Sequence, residues 1–387
     1  IKIMSQFNFP YEEETKDLKD LRSKVRNFIK KTCKQDKILP TPDAWVFGAN
    51  PAFSKKLGKQ GWLGMSFPKK YGGHQKSMLE RYVVTEELLV SGAPVAAHWI
   101  ADRQSGSQVI RFGTEEQKKE IIPKITSGEC FFAIGMSEPD SGSDLASVKT
   151  SAKKIKDGWR LNGRKIWSTG AHLAHYMIVL ARTSKQIENN RHAGLTQFLV
   201  DLSLPGVEIN GIEDMTGQKH FNETIFDDVN LDEDALLGRE GMGWQQVVGE
   251  LALERSGPER FLSHFVLLDN FINEFKSKMS EFGTLSLGRI ISELQSLRIM
   301  SFSIASMIDK NLSPEIQAAF VKEAGNNFEK KLIETIREMS NLIPFNKWSP
   351  SLKSLFEDAT LRIPSNSLRG GTSEIMRGII AKQLGLR

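Results

Sequence analysis

The sequence predicts an α+β protein in which helices, a compact and mostly antiparallel β unit, and helices again follow one another along 387 residues. Three observations carry that expectation. Apolar residues recur at helical spacing over the first third; short alternating runs cut by turn residues replace them from about Ser137 to Leu231; the helical period returns after Trp244. The division drawn from them is 1–131, 132–240 and 241–387.

In the first part, Leu18, Leu21, Val25, Phe28 and Ile29 share a helical face, and Leu88 and Leu89 close a second helix-favouring stretch around Glu80 to Glu87. Phe67 and Pro68 followed by Tyr71, Gly72 and Gly73 predict a firm break between them. In the middle part the strand candidates are Gly158 to Leu161, Lys165 to Ser168, Tyr176 to Ala181, Gln197 to Asp201 and Thr224 to Phe226. Asn162 and Gly163 predict a hairpin turn, with Asp157 and Gly158 as another turn just upstream. In the last part Val247, Leu251, Phe261 and Phe265 line one helical face, kinked at Pro258. Ile290, Ile291, Leu294, Leu297, Ile304 and Ile308 make a further stripe.

Composition narrows the function. The chain is 40% hydrophobic and 26% charged, an ordinary globular balance with enough apolar material for a substantial core. Its formal charge of +5 comes from scattered basic residues, which argues against nucleic acid and is compatible with an anionic small ligand. Cys33 and Cys130 have no C-x-x-C partner, so no zinc or disulfide framework is expected and a reducing cytoplasm is the natural compartment. No apolar run reaches membrane-span length, the start is polar and acidic, and Met4 is the expected natural first residue.

Dinucleotide, P-loop, H-E-x-x-H and G-x-S-x-G signatures are absent, and no histidines pair at metal-ligand spacing. His98, among Pro94, Val95, Ala96, Ala97 and Trp99, is expected to be a satisfied buried imidazole. Glu254 stands out: it is a carboxylate on the stripe of Val247, Leu251, Pro258, Phe261 and Phe265, where an apolar side chain belongs. It must be paired, protonated or lining a cavity. The plain alternative is a partly exposed Glu paired with Arg255 or Arg260. Two loops complete the candidates. Gly135, Met136, Ser137, Glu138, Pro139, Asp140, Ser141, Gly142, Ser143 and Asp144 combine small and hydroxyl residues that let backbone amides approach phosphates or carbonyls, with Asp144 as a cap; an ordinary capped loop is the alternative. Gly370, Gly371, Thr372 and Ser373 open an apolar helical pattern and offer free amides at its start; a plain capped turn is the alternative.

These stretches together resemble the acyl-CoA dehydrogenase family. The resemblance runs through GMSEPDSGSDLAS (Gly135 to Ser147), RLNGRKIWSTGA (Arg160 to Ala171), YGG at Tyr71, FGTEEQK at Phe112, NETIFDDV at Asn222 and GGTSEIMR at Gly370. It is co-linear and spans nearly the whole chain. It implies an N-terminal helical domain, a β domain and a C-terminal four-helix-bundle domain holding FAD in a cleft among them. It further implies α,β-dehydrogenation of an acyl-CoA thioester, electrons passing to an electron-transfer flavoprotein, and a homodimer or homotetramer.

By position, the resemblance puts Met136, Ser137, Gly142, Ser143, Trp167, Thr169, Thr372 and Glu374 at the cofactor. Ser137 would meet the flavin's pyrimidine edge, Trp167 would pack beside the ring and Thr169 would approach N5. Ser143, Arg255 and Gly370 would face the acyl-CoA, with no metal. Most members carry the catalytic base in a Glu-Gly-Thr triplet, whose first position here is Gly370. A subset resembling isovaleryl-CoA dehydrogenase carries it in a Leu-Glu-Arg run, which matches Leu253, Glu254 and Arg255. The residue misplaced by pattern is the one the subset uses as base. Two family segments are missing: an Arg-x-x-Phe-Gly-x-Pro run, of which only Phe282 and Gly283 remain, and a Gln-x-x-Gly-Gly-x-Gly run that clasps the adenine end of FAD. The rival readings are a flavin oxidase or lyase on the same scaffold, and a redox-silent or heteromeric partner subunit.

Overall fold

The computed structural model describes residues 7–186, 189–254 and 257–386, with 250–254 described by their backbone alone. It confirms helices, then a sheet, then helices: all seven strands among the described residues lie between Phe132 and Leu231. By contacts the chain forms two units. One comprises Ile1–Gly48, Ser77–Pro94 and Ala252–Arg387; the other comprises Ala49–Lys76 and Val95–Leu251.

The second unit holds the sheet: β1 (Phe132–Gly135), β2 (Ser151–Ile155), β3 (Gly158–Thr169), β4 (Tyr176–Arg182), β5 (Leu195–Asp201), β6 (Val207–Ile212) and β7 (Phe221–Leu231). The order is β1-β4-β2-β3-β7-β6, with β5 paired to β4. β1 and β2 run parallel to β4, and the other pairs are antiparallel. β4 and β5 are buried along nearly their whole lengths because both their faces are covered, β4 with an apolar run and β5 with Thr196 and Gln197 among its apolar residues. Trp159, Leu161, Met177, Val179, Phe198, Phe226 and Val229 form the core of the sheet. Helices Ala96–Ile100 and Gly106–Phe112 continue through a π-turn at Ala101–Ser105, and Val109 and Ala101 from this stretch join Ile121, Ile122, Phe132 and Ile178 in a second core. His98 is buried as expected, its Nδ1 2.7 Å from Ser54 Oγ, and burial pushes its pKa down to about 4.

The first unit is helical. Lys16–Asp36 carries Val25 and Ile29 on its buried face, as the spacing predicts. Met78–Val90 starts at a reciprocal capping box of Ser77 and Glu80, and Tyr82 and Val83 on it pack with Leu18 and Phe302. Long helices Glu281–Asp309 and Glu315–Met339 follow, then Pro350–Arg362 and Ser373–Gln383. Ile290, Leu297 and Ile304 of the expected stripe are buried, whereas Ile291 is exposed.

Three local expectations are corrected. Asn162 and Gly163 do not turn: β3 runs straight through them with a bulge. Asn162 exchanges hydrogen bonds with Asp228 on the neighbouring strand, and Gly163, at φ 148°, passes so close to Thr150 that a Cβ would lie 2.5 Å from its hydroxyl. The hairpin turn is the upstream one, between Ile155 and Gly158. Pro258 does not kink a helix either, because helix Gly243–Glu254 has already ended and Pro258 opens a short 3₁₀ turn, where its missing N–H costs nothing. Asp144 caps through its carbonyl, which accepts from the hydroxyls of Ser141 and Ser147, while its carboxylate pairs with Arg191. Among the described residues no helix is long and apolar enough to cross a membrane.

Candidate functional site

In the sheet-bearing unit the candidates converge on two adjoining segments. β1 ends at Gly135, where a Cβ would meet Met177 Sδ at 2.7 Å and Lys165 Cγ at 3.1 Å, so a side chain there would have to displace both. The loop beyond is stitched to β3. The Ile166 amide donates to the Ser137 carbonyl at 3.0 Å, and Lys165 Nζ donates to the Met136 carbonyl at 3.0 Å and to Glu138 Oε1 at 2.9 Å. Glu138 also accepts from the Lys149 and Thr150 amides, at 2.6 and 2.9 Å. Lys165 is wholly buried and Glu138 is 7% exposed. Desolvation pushes the Lys165 ammonium down to about 8, against the pull of Glu138. Desolvation works the other way on the Glu138 carboxyl, but the charge of Lys165 and the amide bonds outweigh it and hold it below its ordinary range.

Glu138 and Ser141 exchange backbone bonds of 2.8 and 3.0 Å, which turns the chain at Pro139 and Asp140; Gly142 and Ser143 follow it and are exposed, and a Cβ on Gly142 would touch nothing within 4 Å. Two residues after Lys165, the pairing with β7 shifts register. There Trp167 takes a left-handed φ of 62° and turns its indole outward, 57% exposed, edge-on to Phe221 at 6.1 Å. Thr169, half-buried, ends the strand opposite Phe221. On the inward side Ser168 Oγ, Asn222 Nδ2 and Thr224 Oγ1 are buried with no hydrogen-bond partner among the described residues.

In the helical unit the glycine pair forms a seated loop. Gly370 has φ 65°, and a Cβ there would lie 3.1 to 3.4 Å from the Arg260 guanidinium. Arg260 is itself buried, lies over the Trp45 ring at 5.4 Å, and has Glu259 3.8 Å from its Nε. Lys322, also buried, donates to the Gly371 carbonyl, and Asn326 joins Lys322 to the Asn366 carbonyl. Arg369 pairs with Asp43 at 2.7 Å and stacks over Trp45 at 4.5 Å. Thr372 caps the last helix, accepting from the Ile375 amide, and Glu374 stands exposed in its first turn. Its own amide and the Thr372 hydroxyl hold the Glu374 carboxyl below its ordinary range. Nearby in sequence to Arg260, His264 Nδ1 lies 2.6 Å from Glu329 Oε2, both groups buried.

Glu254 lies in helix Gly243–Glu254; its side chain, and Arg255 altogether, lie outside the described residues. The structure thus groups Met136, Ser137, Gly142 and Ser143 on one loop with Trp167 and Thr169 on the strand tied to it. It groups Gly370, Thr372 and Glu374 at one helix start. Sequence reasoning places Glu138 only within the loop and Lys165 only at the start of a strand and gives neither a role, although the strand phase that buries Leu161 also carries Lys165 inward, and a lysine on an inward phase is a signal. It weighed Arg260 only as a partner for Glu254, and nothing in the local pattern marks it as the neighbour of Gly370. No group of three or more His, Cys, Asp or Glu suited to a metal occurs among the described residues.

Comparison with known proteins bears on this arrangement. Residues 15–129 match the N-terminal domain of acyl-CoA dehydrogenase and residues 133–229 match its middle domain. The chain is 31% identical over 353 residues to acyl-CoA dehydrogenase IpdE1 of Mycobacterium tuberculosis, covering 88% of this chain and 89% of that one. Among solved structures, the Tcur3481-Tcur3483 steroid ACAD superposes with a TM-score of 0.82 at 25% identity, over 97% of this chain and 98% of that one. The ChsE4-ChsE5 complex of Mycobacterium tuberculosis gives 0.81 at 26% identity, over 97% and 99%.

Proposed function

The chain belongs to the acyl-CoA dehydrogenase family, and from that premise we propose that it binds FAD and desaturates the Cα–Cβ bond of an acyl-CoA thioester, with Glu254 as the base. The observation that carries the cofactor assignment is the outward indole of Trp167 on a left-handed bulge, tied by Lys165 and Ile166 to the loop of Met136 and Ser137. An exposed aromatic beside a loop of small and hydroxyl residues fits a planar ring system with polar edges. Met136, Ser137, Gly142, Ser143, Trp167 and Thr169 would hold it, with Thr372 and Glu374 from the last helix. When bound, FAD supplies the hydride acceptor.

The chain's own residues manage the proton. Glu254 takes the α proton of the thioester, an acid far too weak for a solvated carboxylate, so its pKa must be raised by exclusion of water. The amide of Gly370 donates to the thioester oxygen as charge develops there. Gly370 carries no carboxylate, which leaves the Leu253-Glu254-Arg255 run as the place for the base. Ser143 and Arg255 would meet the CoA portion. An electron-transfer flavoprotein would reoxidise the enzyme, and two free cysteines, Cys33 and Cys130, suit a cytoplasmic setting. The test is the visible spectrum of the purified protein before and after a panel of acyl thioesters. Wild type should be yellow and lose colour with its substrate; E254Q should stay yellow and fail to respond. Undiminished bleaching in E254Q moves the base elsewhere.

A second reading has a specific observation in its favour. The FAD-adenine segment is missing from this sequence, and two of its structural neighbours carry two-component names. If the chain is one subunit of a two-chain enzyme, it will purify colourless alone and take up FAD only with its partner.

A further inference from the structure

Three stretches of the sheet-bearing unit meet on one buried carboxylate. Glu138 accepts from the Lys149 and Thr150 amides at the head of β2 and from Lys165 Nζ on β3. Lys165 spends a second N–H on the Met136 carbonyl, and the next residue, Ile166, holds the Ser137 carbonyl. The pair therefore sits between the peptide that carries Met136 and Ser137 and the bulge that carries Trp167. A buried ion pair is rarely there for net stability, since an apolar pair of similar volume often serves as well or better. What it supplies here is direction: one ammonium fixes a main-chain carbonyl and a carboxylate at once, and that carboxylate fixes two amides of a third segment.

We infer that Glu138 and Lys165 are positioning residues, which set the spacing between the Met136–Ser137 peptide and the Trp167 bulge and so determine how tightly the ring-binding surface is made. This rests on the flavin reading proposed above. Neither residue need touch cofactor or substrate.

The experiment uses the full chain, with E138Q, K165M and the charge-balanced double E138Q/K165M, and with K165R as the conservative variant. Two readouts are taken: FAD affinity by equilibrium dialysis, and amide hydrogen exchange at Ile166, with Val179 in β4 as the reporter of global opening. In each single variant FAD should bind about tenfold more weakly, equivalent to about 1.4 kcal/mol. Ile166 should exchange faster while Val179 does not. K165R should keep most of both properties. The double variant decides between positioning and charge compensation: loss of both properties supports the inference, and their return to wild-type values overturns it. It does so even where a single variant fails to fold, because it buries no unpaired charge. Wild-type protein that takes up no FAD, alone or with a partner chain, defeats the flavin reading instead. The Ile166 arm then still reports on the pair.

Discussion

A carboxylate returned to position 370 should not restore catalysis to E254Q. Gly370 sits at φ 65°, where a side chain costs about 1–2 kcal/mol. Its Cβ would meet the Arg260 guanidinium at 3.1 Å to one terminal nitrogen and 3.2 Å to the other. Arg260 is 3% exposed and held by Trp45 and Glu259, so it has little room to withdraw. G370A should therefore lower the melting temperature by a few degrees, the consequence of about 1–2 kcal/mol. A glutamate there gains a charged neighbour within about 4–6 Å, which lowers a carboxyl pKa by about 1–3 units. That is opposite to what α-proton abstraction from a thioester requires. The double variant E254Q/G370E should thus stay below about 1% of wild-type turnover, since each lost pKa unit removes up to tenfold in rate. Turnover is followed with a dye acceptor and folding by thermal melting. A folded double variant with a tenth or more of wild-type turnover would refute the argument, and with it the claim that Arg260 governs this position.

Other expectations follow from buried polar groups. Lys165 has its pKa lowered to about 8 in the fold, against 10.5 in its ordinary state, so the unfolded chain holds the extra proton between those values. Its burial cost is constant below pH 8 and is relieved as pH rises to 10.5; wild type should gain stability relative to K165M over that window by about 1 kcal/mol per pH unit in denaturant unfolding. A flat difference between pH 8 and 10.5 would contradict the shift. T224V removes a buried hydroxyl that has no partner among the described residues and should be neutral or stabilise by about 1 kcal/mol; a loss of more than that would mean an internal water uses the hydroxyl. Replacing Glu329 by Leu strips the His264 ring and amide of their acceptor and should cost about 2–4 kcal/mol by chemical unfolding, with little change if the pair is incidental.

Much of the fold was legible because helical and alternating apolar periods survive in the sequence wherever one face is buried. Val25 and Ile29, and Ile290 and Leu297, behave as their spacing predicts. What misled was local chemistry overruled by neighbours. Asn162 and Gly163 carry the residues of a turn, yet Asp228 of β7 and Thr150 just before β2 hold them in a bulge. The stripe places Pro258 and Glu254 along one helix, whereas Gly257 lies outside helix Gly243–Glu254 and Pro258 opens a separate 3₁₀ turn. The candidate loops were legible as motifs, and their hydroxyl and glycine positions do gather on one loop and one helix start. Their supports were not: Lys165 and Glu138 are ordinary charged residues in sequence, and only the pairing of β3 with the loop buries them together. Arg260 and Gly370 stand too far apart in the chain for any spacing rule to join them.

The contacts of Glu138 also bear on the order in which the chain folds. Its partners at Lys149, Thr150 and Lys165 lie 11, 12 and 27 residues away, whereas pairing Phe132 with Tyr176 must close a far longer loop. Short closures come first when their contacts are strong. During refolding, the Thr150 amide should therefore gain protection in pulse labelling before the amides of β1, which wait for β4, so that this knot precedes the docking of β1 on the sheet.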